Sequence, residues 1–112
     1  MSKITESARG EVCHVRIPGV CRFTADTVVW AHANGSAAGK GLWQKSIDLL
    51  GAYACMGCHD LYDRRRVKND QGVLVDRMYV EVCFWEGHAR SVIRLLERGL
   101  IVLDRGTVRV AA

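Results

Sequence analysis

The sequence predicts an α+β fold in which a cysteine-bearing, β-rich first half is followed by a helical second half. Residues 27–32, with the sequence TVVWAH, are β-branched and aromatic, which is typical of a strand. Between about Asp76 and Arg98, apolar residues recur at steps of three and four, which indicates an amphipathic helix. The chain of 112 residues has the length of one small domain, and we expect residues 1–112 to form it.

Turn signals separate the elements of the first half. Val15 and Ile17 alternate with polar neighbours, and the dipeptide Pro18-Gly19 that follows marks a turn. Residues 33–46 are rich in glycine and serine and predict a loop. The apolar run of residues 47–54 is expected to include a second strand.

The second half contains two predicted helices and a hairpin. The shorter helix is expected from Cys58 to about Val67, because residues 69–72 break the pattern. The longer helix is expected to end at Arg98, since Gly99 stands where a helix-terminating glycine belongs. Residues 100–110 then indicate a hairpin. The apolar side of the long helix is expected to face either the core or a second copy in a dimer. Its residues are Met78, Val82, Trp85, Ala89, Val92, Ile93 and Leu96.

Composition and charge narrow the class of protein. Apolar residues make up 49% and charged residues 25% of the chain, which indicates a globular rather than a disordered protein. The formal net charge of +4 is compatible with a polyanionic partner. The sequence contains neither a long apolar run nor the apolar core of a signal peptide, so we expect a cytoplasmic protein without a membrane segment.

Two cysteine pairs predict a structural zinc site. Cys13 and Cys21 flank a turn, and Cys55 and Cys58 form a Cys-x2-Cys pair; separated pairs of this kind build closed tetrahedral zinc sites. A thioredoxin-like redox pair would require a βαβ context, which does not precede Cys55. Four unrelated buried thiols are the remaining alternative. Cys83 lies inside the predicted long helix and is interpreted as a core residue.

Two histidines are candidates for chemistry. His59 and Asp63 are four residues apart on a predicted helix, so they share one face and could hold a divalent ion, or simply form an ion pair. His32 ends the predicted strand, where an imidazole can serve as a general base. A solvent-facing or core histidine is the alternative for His32.

A basic run follows the predicted metal-binding face. Arginine side chains bind phosphate through paired donors, which makes these residues candidates for contacts with a nucleic-acid backbone. A solvated helix end is the alternative interpretation. The run consists of Arg64, Arg65, Arg66 and Lys68, and its three arginines are candidate phosphate-binding residues together with Lys40, which lies in the glycine-rich loop.

Taken together, these motifs resemble the HNH, or ββα-metal, nucleases. The resemblance rests on WAH (residues 30–32), the glycine-rich loop and ACMGCH (residues 54–59). The sequence is closer still to the small phage and prophage proteins of the YbcO type, which are regarded as HNH-like. That likeness rests on ARGEVCHVRIPGVC, CMGCHDLYDRR, EGHAR and ERGLI and covers about residues 7–101.

The resemblance implies a ββα-metal core held by a four-cysteine zinc site, followed by a long C-terminal helix and a short hairpin. It implies a metal-dependent endonuclease that hydrolyses DNA in a bacterial host cell, with a possible recombination or replication partner. Because contacts with phosphate carry no base information, we expect little sequence specificity. His32 takes the position of the general base. A Mg²⁺ or Mn²⁺ ion would be held by residues chosen from His59, Asp63 and Asp48. The structural zinc would be held by Cys13, Cys21, Cys55 and Cys58.

The sequence also departs from the HNH pattern. Ala31 stands where many of these enzymes carry an acidic or histidine metal ligand, and Leu50 stands where many carry an asparagine. Asp48 or Asn34 could replace the missing group. These departures keep two alternatives open: a non-catalytic zinc module that binds nucleic acid or a recombination protein, and a zinc-stabilised domain whose basic run is only solvated surface.

Overall fold

The computed structural model describes residues 2–34 and 48–111, so Lys40 and most of the predicted glycine-rich loop lie outside the described residues. Strands β1 and β2 pair in an antiparallel manner, and β3 and β4 form a second antiparallel pair. The result is a small mixed α/β structure with a long helix near its C-terminal end. The elements in chain order are α1 (Lys3–Glu6), β1 (Val29–His32), β2 (Gly51–Ala54), α2 (Met56–Tyr62), α3 (Arg77–Glu97), β3 (Ile101–Asp104) and β4 (Thr107–Val110).

Strand β2 lies at the centre of the core. Its inner edge pairs with β1, with His32 opposite Gly51. Its outer edge is satisfied at Tyr53, whose N–H donates to Ser91 Oγ at 3.0 Å and whose carbonyl accepts from the His14 N–H at 2.9 Å. All four residues of β2 are buried, and a strand that is buried on both faces favours apolar side chains such as those of β2. Predicted strands in residues 27–32 and 47–54 are confirmed, although both are short.

The segment between the first two cysteines turns where the alternating pattern predicted extended chain. Val15 and Ile17 are buried as their alternation suggested, but no strand forms between residues 13 and 21. Arg16 has φ of 57° and Gly19 has φ of 76°, and the Cys21 N–H donates to the Ile17 carbonyl at 2.9 Å. These two left-handed residues bend the backbone, so the first half is less rich in strand than expected.

Helix α2 begins earlier and ends earlier than predicted. It runs from Met56 to Tyr62, whereas the sequence indicated a helix from residue 58 to about 67. Arg64 has φ of 65°, a left-handed conformation that cannot continue the helix. The Arg77 guanidinium donates to the carbonyls of Leu61 and Tyr62 at 2.8 and 2.6 Å. A side chain from another helix therefore satisfies the C-terminal carbonyls of α2, and no sequence signal near residue 62 reveals this.

The predicted bounds of α3 and the hairpin are confirmed. The Asp76 carboxylate accepts from the N–H groups of Met78 and Tyr79, which caps the N-terminus of α3. Gly99 has φ of 70° and follows the helix as a terminating glycine does. Strands β3 and β4 form the hairpin. None of the described helices is long and apolar enough to cross a membrane.

The apolar side of α3 selected from the sequence is not the side that faces the core. Of those residues, Met78, Val82, Trp85, Ile93 and Leu96 are exposed, whereas Val92 is partly buried and packs against the core. The helix instead approaches the core through small residues that allow close packing: a Cβ on Gly87 would lie 2.8 Å from Val15 Cα and 2.9 Å from the His14 carbonyl oxygen. Cys83 is buried, as predicted. The buried residues of α3 are Val80, Cys83, Phe84, Gly87, Ser91 and Leu95.

Replacing Gly87 by alanine tests this close approach. Alanine favours helix over glycine, so Gly87→Ala would stabilise the protein if helix propensity alone mattered. We expect a loss of about 1–3 kcal/mol in the free energy of unfolding, because the added methyl group meets backbone atoms that cannot move aside. Urea denaturation gives the value. The exposed control Glu97→Ala should change stability by less than about 0.5 kcal/mol, and a more stable Gly87→Ala variant would contradict the packing.

Candidate metal centre and histidine pairs

Four cysteines meet in one cluster, as the sequence predicted. The Sγ atoms of Cys13, Cys21, Cys55 and Cys58 all lie within 4.8 Å of one another. In a tetrahedral thiolate site with metal–sulfur bonds of about 2.3 Å, the sulfur atoms are about 3.8 Å apart. The cluster therefore has the ligand chemistry and the spacing to hold one metal ion, and the alternative of four unrelated thiols is wrong.

Local backbone geometry presents the four sulfur atoms to one another. The bend at Arg16 brings Cys13 and Cys21 to the same side of their segment, and α2 starts immediately after Cys55. The Ile17 N–H donates to Cys58 Sγ at 3.5 Å, and the Phe23 N–H donates to Cys21 Sγ at 3.4 Å. Such N–H donors stabilise negative charge on sulfur, which the thiolate form requires.

Electrostatics inside the cluster are uneven. Hydrogen bonds donated by the Cys13 and Cys58 thiols lower the pKa of Cys55 strongly. Burial raises the pKa of Cys21 to about 12. Four negative charges at this separation would repel one another. A bound divalent cation would offset that repulsion and allow all four thiolates to form.

His32 is paired with a carboxylate at the end of β1. Its Nε2 lies 2.8 Å from Asp48 Oδ1, and both side chains are partly exposed. Partial burial raises the pKa of Asp48, but hydrogen bonds from Ser2 and His32 outweigh burial and hold that pKa below its ordinary value. Asp48 is held in turn by Trp30, whose indole Nε1 donates to the Asp48 carbonyl at 2.8 Å. The indole lies against Gly51, where a Cβ would be 2.5 Å from Nε1.

A second histidine–carboxylate pair lies on α2. His59 Nε2 is 2.9 Å from Asp63 Oδ2, as expected for residues four apart on one helical face. The other Asp63 oxygen accepts a hydrogen bond from Asn34 Nδ2 at 2.9 Å, and the Asn34 N–H donates to the Tyr62 hydroxyl at 2.8 Å. Asn34 follows His32 by two residues. These bonds therefore join the chain just beyond β1 to the end of α2.

The structure assigns the three candidate ligands of a catalytic ion to two pairs. The Asp48 carboxylate pairs with the His32 imidazole, and the Asp63 carboxylate pairs with the His59 imidazole. Within residues 2–34 and 48–111, the cysteine cluster is the one group of three or more potential ligands whose donor atoms converge. An ion at His59 and Asp63 would therefore have two protein ligands from the described part of the chain.

The three arginines of the basic run differ in their surroundings. Arg65 binds Asp60 at 3.0 Å and Asp63 at 3.5 Å, and Arg66 binds Asp70 at 2.7 Å. The Arg64 side chain is exposed and has no hydrogen-bond or ion-pair partner among the described residues. It lines an open cavity of about 580 Å³ together with Asp63. Arg64 is thus the arginine of this run that is available to an anion entering the cavity.

Several supporting residues were not identified from the sequence. Trp30 and Ser2 contact Asp48 through contacts that no motif records. The sequence places Tyr62 in a helix and assigns it no further role, yet its hydroxyl accepts a hydrogen bond from the Asn34 N–H and so fixes the backbone there. The sequence suggests Asn34 only as a replacement for the asparagine that many HNH enzymes carry at the position of Leu50. The one sequence feature that places Asn34 near the site is its position two residues after His32.

The fold and the cluster define a small mixed α/β protein built around four clustered cysteines that could hold a metal ion. Comparison with known proteins gives the family. The family model described as "Putative nuclease YbcO" matches residues 2–100. The chain is 39% identical over 101 residues to "Putative nuclease YbcO" of Escherichia coli (strain K12), and the match covers 90% of this chain and 98% of that protein. The chain therefore belongs to the YbcO family.

Two further comparisons agree with this assignment. "Putative nuclease ybcO" of Enterobacteria phage 82 is also 39% identical over 101 residues, with the same coverage of both chains. A solved structure described as "Structure of a putative bacteriophage protein from Escherichia coli str. K-12 substr. MG1655" is 39% identical and superimposes with a TM-score of 0.66. That match covers 85% of this chain and 98% of the solved one. The solved structure shares this overall fold over nearly its whole length.

Replacing one cluster cysteine tests the metal centre. We expect the purified protein to carry about one metal ion per chain, with zinc as the ion, by elemental analysis. Cys58→Ser should lose most of that metal and lower the free energy of unfolding by roughly 3 kcal/mol or more. Cys83→Ser is the matched control, because Cys83 lies outside the cluster and should leave the metal content unchanged. Metal content well below one ion per chain in the wild type would contradict the assignment.

Proposed function

We propose that this protein is an HNH-type, metal-dependent endonuclease that hydrolyses phosphodiester bonds in DNA, with the whole chain forming one domain. The observation that supports this best is the pair of histidine–carboxylate contacts at the end of β1 and on α2, linked through Asn34. These residues lie on or beside elements in the order strand, strand, helix, and this order supports the proposal because a ββα-metal core requires it. The names of the relatives from Escherichia coli and phage 82 agree with a nuclease.

In this proposal His32 is the general base. Asp48 occupies Nε2 of the imidazole, so Nδ1 can accept a proton from a water molecule directed at the scissile phosphorus. The oxygen of that water forms a bond to phosphorus while the P–O3′ bond breaks, and the 3′ oxygen takes up a proton. The depressed pKa of Asp48 keeps its carboxylate charged, which stabilises the imidazolium that forms at His32. Asp48 thus orients the base and is no longer our candidate for a metal ligand.

His59 and Asp63 are the residues that would hold the catalytic ion. An imidazole nitrogen and a carboxylate oxygen 2.9 Å apart suit Mn²⁺ or a similar divalent ion, with Mg²⁺ also possible through the carboxylate. Two protein ligands leave coordination positions for phosphate oxygens and water, so the residues present fit such an ion. When bound, the ion would polarise the phosphate and stabilise charge on the leaving oxygen. Asn34 holds the Asp63 carboxylate in place.

Arg64 is the proposed phosphate contact. It is exposed at the cavity beside Asp63 and has no partner among the described residues, whereas Arg65 and Arg66 are engaged with acidic side chains. Lys40 remains a candidate from the sequence and lies outside the described residues. Contacts of this kind bind the backbone and carry no base information, so we expect little sequence specificity.

Removing the imidazole of His32 tests the proposed base. With Mn²⁺ or Mg²⁺ present, His32→Ala should cleave plasmid DNA about 10²- to 10⁴-fold more slowly than the wild type. Asp48→Asn should cleave about tenfold more slowly, because the imidazole loses its charged partner. Asp26→Asn removes an exposed carboxylate elsewhere and serves as the control for lost charge.

The outcomes separate this proposal from its alternative. Equal cleavage by wild type and His32→Ala, with unchanged thermal unfolding, would exclude His32 as the base. DNA binding by the wild type without nicking in any divalent ion would favour the alternative, a non-catalytic zinc module that binds nucleic acid or a recombination protein.

Arg64 is tested by the salt dependence of binding. Each phosphate contact that is removed should reduce the slope of log Kd against log salt by about 1 for a short DNA duplex. We expect this reduction for Arg64→Ala, measured by fluorescence anisotropy in an inactive His32→Ala background. Arg105→Ala is the matched control, since Arg105 is also exposed and also has positive φ, at the tip of the hairpin. Equal slopes for the two variants would remove Arg64 from the phosphate-binding set.

A further inference from the structure

Helix α3 carries a continuous apolar stripe on the side that faces away from the core. Its exposed side chains include Met78, which is 71% exposed, and Trp85, which is 40% exposed. At about 100° per residue, the stripe lies opposite the buried residues of α3. Exposed apolar surface of this extent on a small protein marks an interaction site more often than it marks free surface.

The spacing of the stripe is that of a coiled-coil seam. Its residues are separated by steps of four, three, four, three and four, which places them at alternating a and d positions of a heptad. Charged residues are absent from these positions. We call this set the α3 seam, and it consists of Met78, Val82, Trp85, Ala89, Val92 and Leu96.

We propose that the α3 seam binds the same seam of a second copy of this chain, with the two helices antiparallel about a twofold axis level with residue 87. In that register the largest side chain meets the smallest, since Trp85 lies opposite Ala89 of the second copy. Val82 lies opposite Val92, and Met78 lies opposite Leu96. Because the arrangement is symmetric, each of these pairs occurs twice and the assembly closes as a dimer.

Residues beside the seam favour the antiparallel order. Tyr79 and Ile93 are exposed apolar residues on the same flank of the seam, and the antiparallel register places Tyr79 opposite Ile93 of the second copy. Parallel helices would instead bring Ile93 next to His88. The same register places Glu86 opposite Glu86 of the second copy, and Arg90, which pairs with Glu86 at 3.3 Å within each chain, offsets these like charges. This flank of the interface would therefore carry balanced charge.

The available area suits a dimer of modest affinity. The fractional exposures of Met78, Tyr79, Val82, Trp85, Ile93 and Leu96 correspond to roughly 600 Å² per copy, so the pair could bury at most on the order of 1,200 Å² through these side chains. That value stands at the lower limit for specific interfaces, so we expect dissociation in the micromolar range. Val92 is partly buried and also packs against the core, whereas the buried residues of α3 lie on the opposite side, so we expect folding to depend little on the other seam residues.

Sedimentation velocity of the 112-residue chain over a concentration series tests the proposal. The wild type should shift from monomer to dimer between low micromolar and near-millimolar concentration. Val82→Lys should remain monomeric, because it places a charge in the seam. Val108→Lys is the matched control: Val108 is 44% exposed on the hairpin, against 46% for Val82, and this variant should dimerise as the wild type does.

A second variant and a cross-link complete the test. Ala89→Trp should also prevent dimerisation by filling the space assigned to Trp85 of the second copy, while leaving the circular dichroism of the exposed helix unchanged. A photoreactive p-benzoylphenylalanine at position 78, in mixed light and heavy chains, should cross-link to the segment around Leu96 of the other chain. A wild type that is monomeric throughout the range, or equal association by Val82→Lys, would overturn the proposal. Cross-linking to the other chain's own position 78 would overturn the antiparallel order.

Discussion

The four-cysteine cluster is the constraint on which the direction of α2 and the position of its histidine–carboxylate pair depend. Cys13 and Cys21 come from a bent segment near the N-terminus, and Cys55 and Cys58 bracket the start of α2. Convergence of their sulfur atoms fixes where β2 ends and in which direction α2 leaves. His59 is the residue next to Cys58, so its position follows from the cluster geometry. A chain of 112 residues buries a modest core, and a metal-bound cluster would add the stability that such a core lacks.

His32 is positioned through a different route. It stands opposite Gly51 in the β1–β2 register, and the missing side chain at Gly51 leaves room for the Trp30 indole, which in turn holds Asp48 against His32. Asn34 connects the two histidine sites, because it follows His32 by two residues and its side-chain amide donates a hydrogen bond to Asp63. The separation of the two histidine sites is thus determined by one strand register, one helix direction and the hydrogen bond that links them. A shift in any of these would move a proposed base relative to a proposed metal ligand.

Local chemistry explains which features the sequence predicted. The cysteine cluster, the strand before His32 and the bounds of α3 each have a signal within a few residues, such as the Asp76 cap or Gly99. The bounds of α2 do not, because a distant arginine, Arg77, satisfies its last carbonyls. Asp48 could be named as an acid near the site, but its pairing with His32 depends on a tertiary contact from Trp30. No spacing rule in the sequence contains that information.

The orientation of α3 shows a limit of hydrophobic patterning. Both sides of the helix carry apolar residues, and the side with the larger ones is exposed. The side that contains Cys83, Gly87 and Ser91 faces the core, because these small residues let the helix approach backbone atoms of residues 14 and 15 closely. This division separates two roles of one helix. Residues of the proposed site lie on β1, on α2 and beside β2, and none belongs to the α3 seam, so under the proposed pairing each copy keeps a complete set of His32, Asp48, His59 and Asp63.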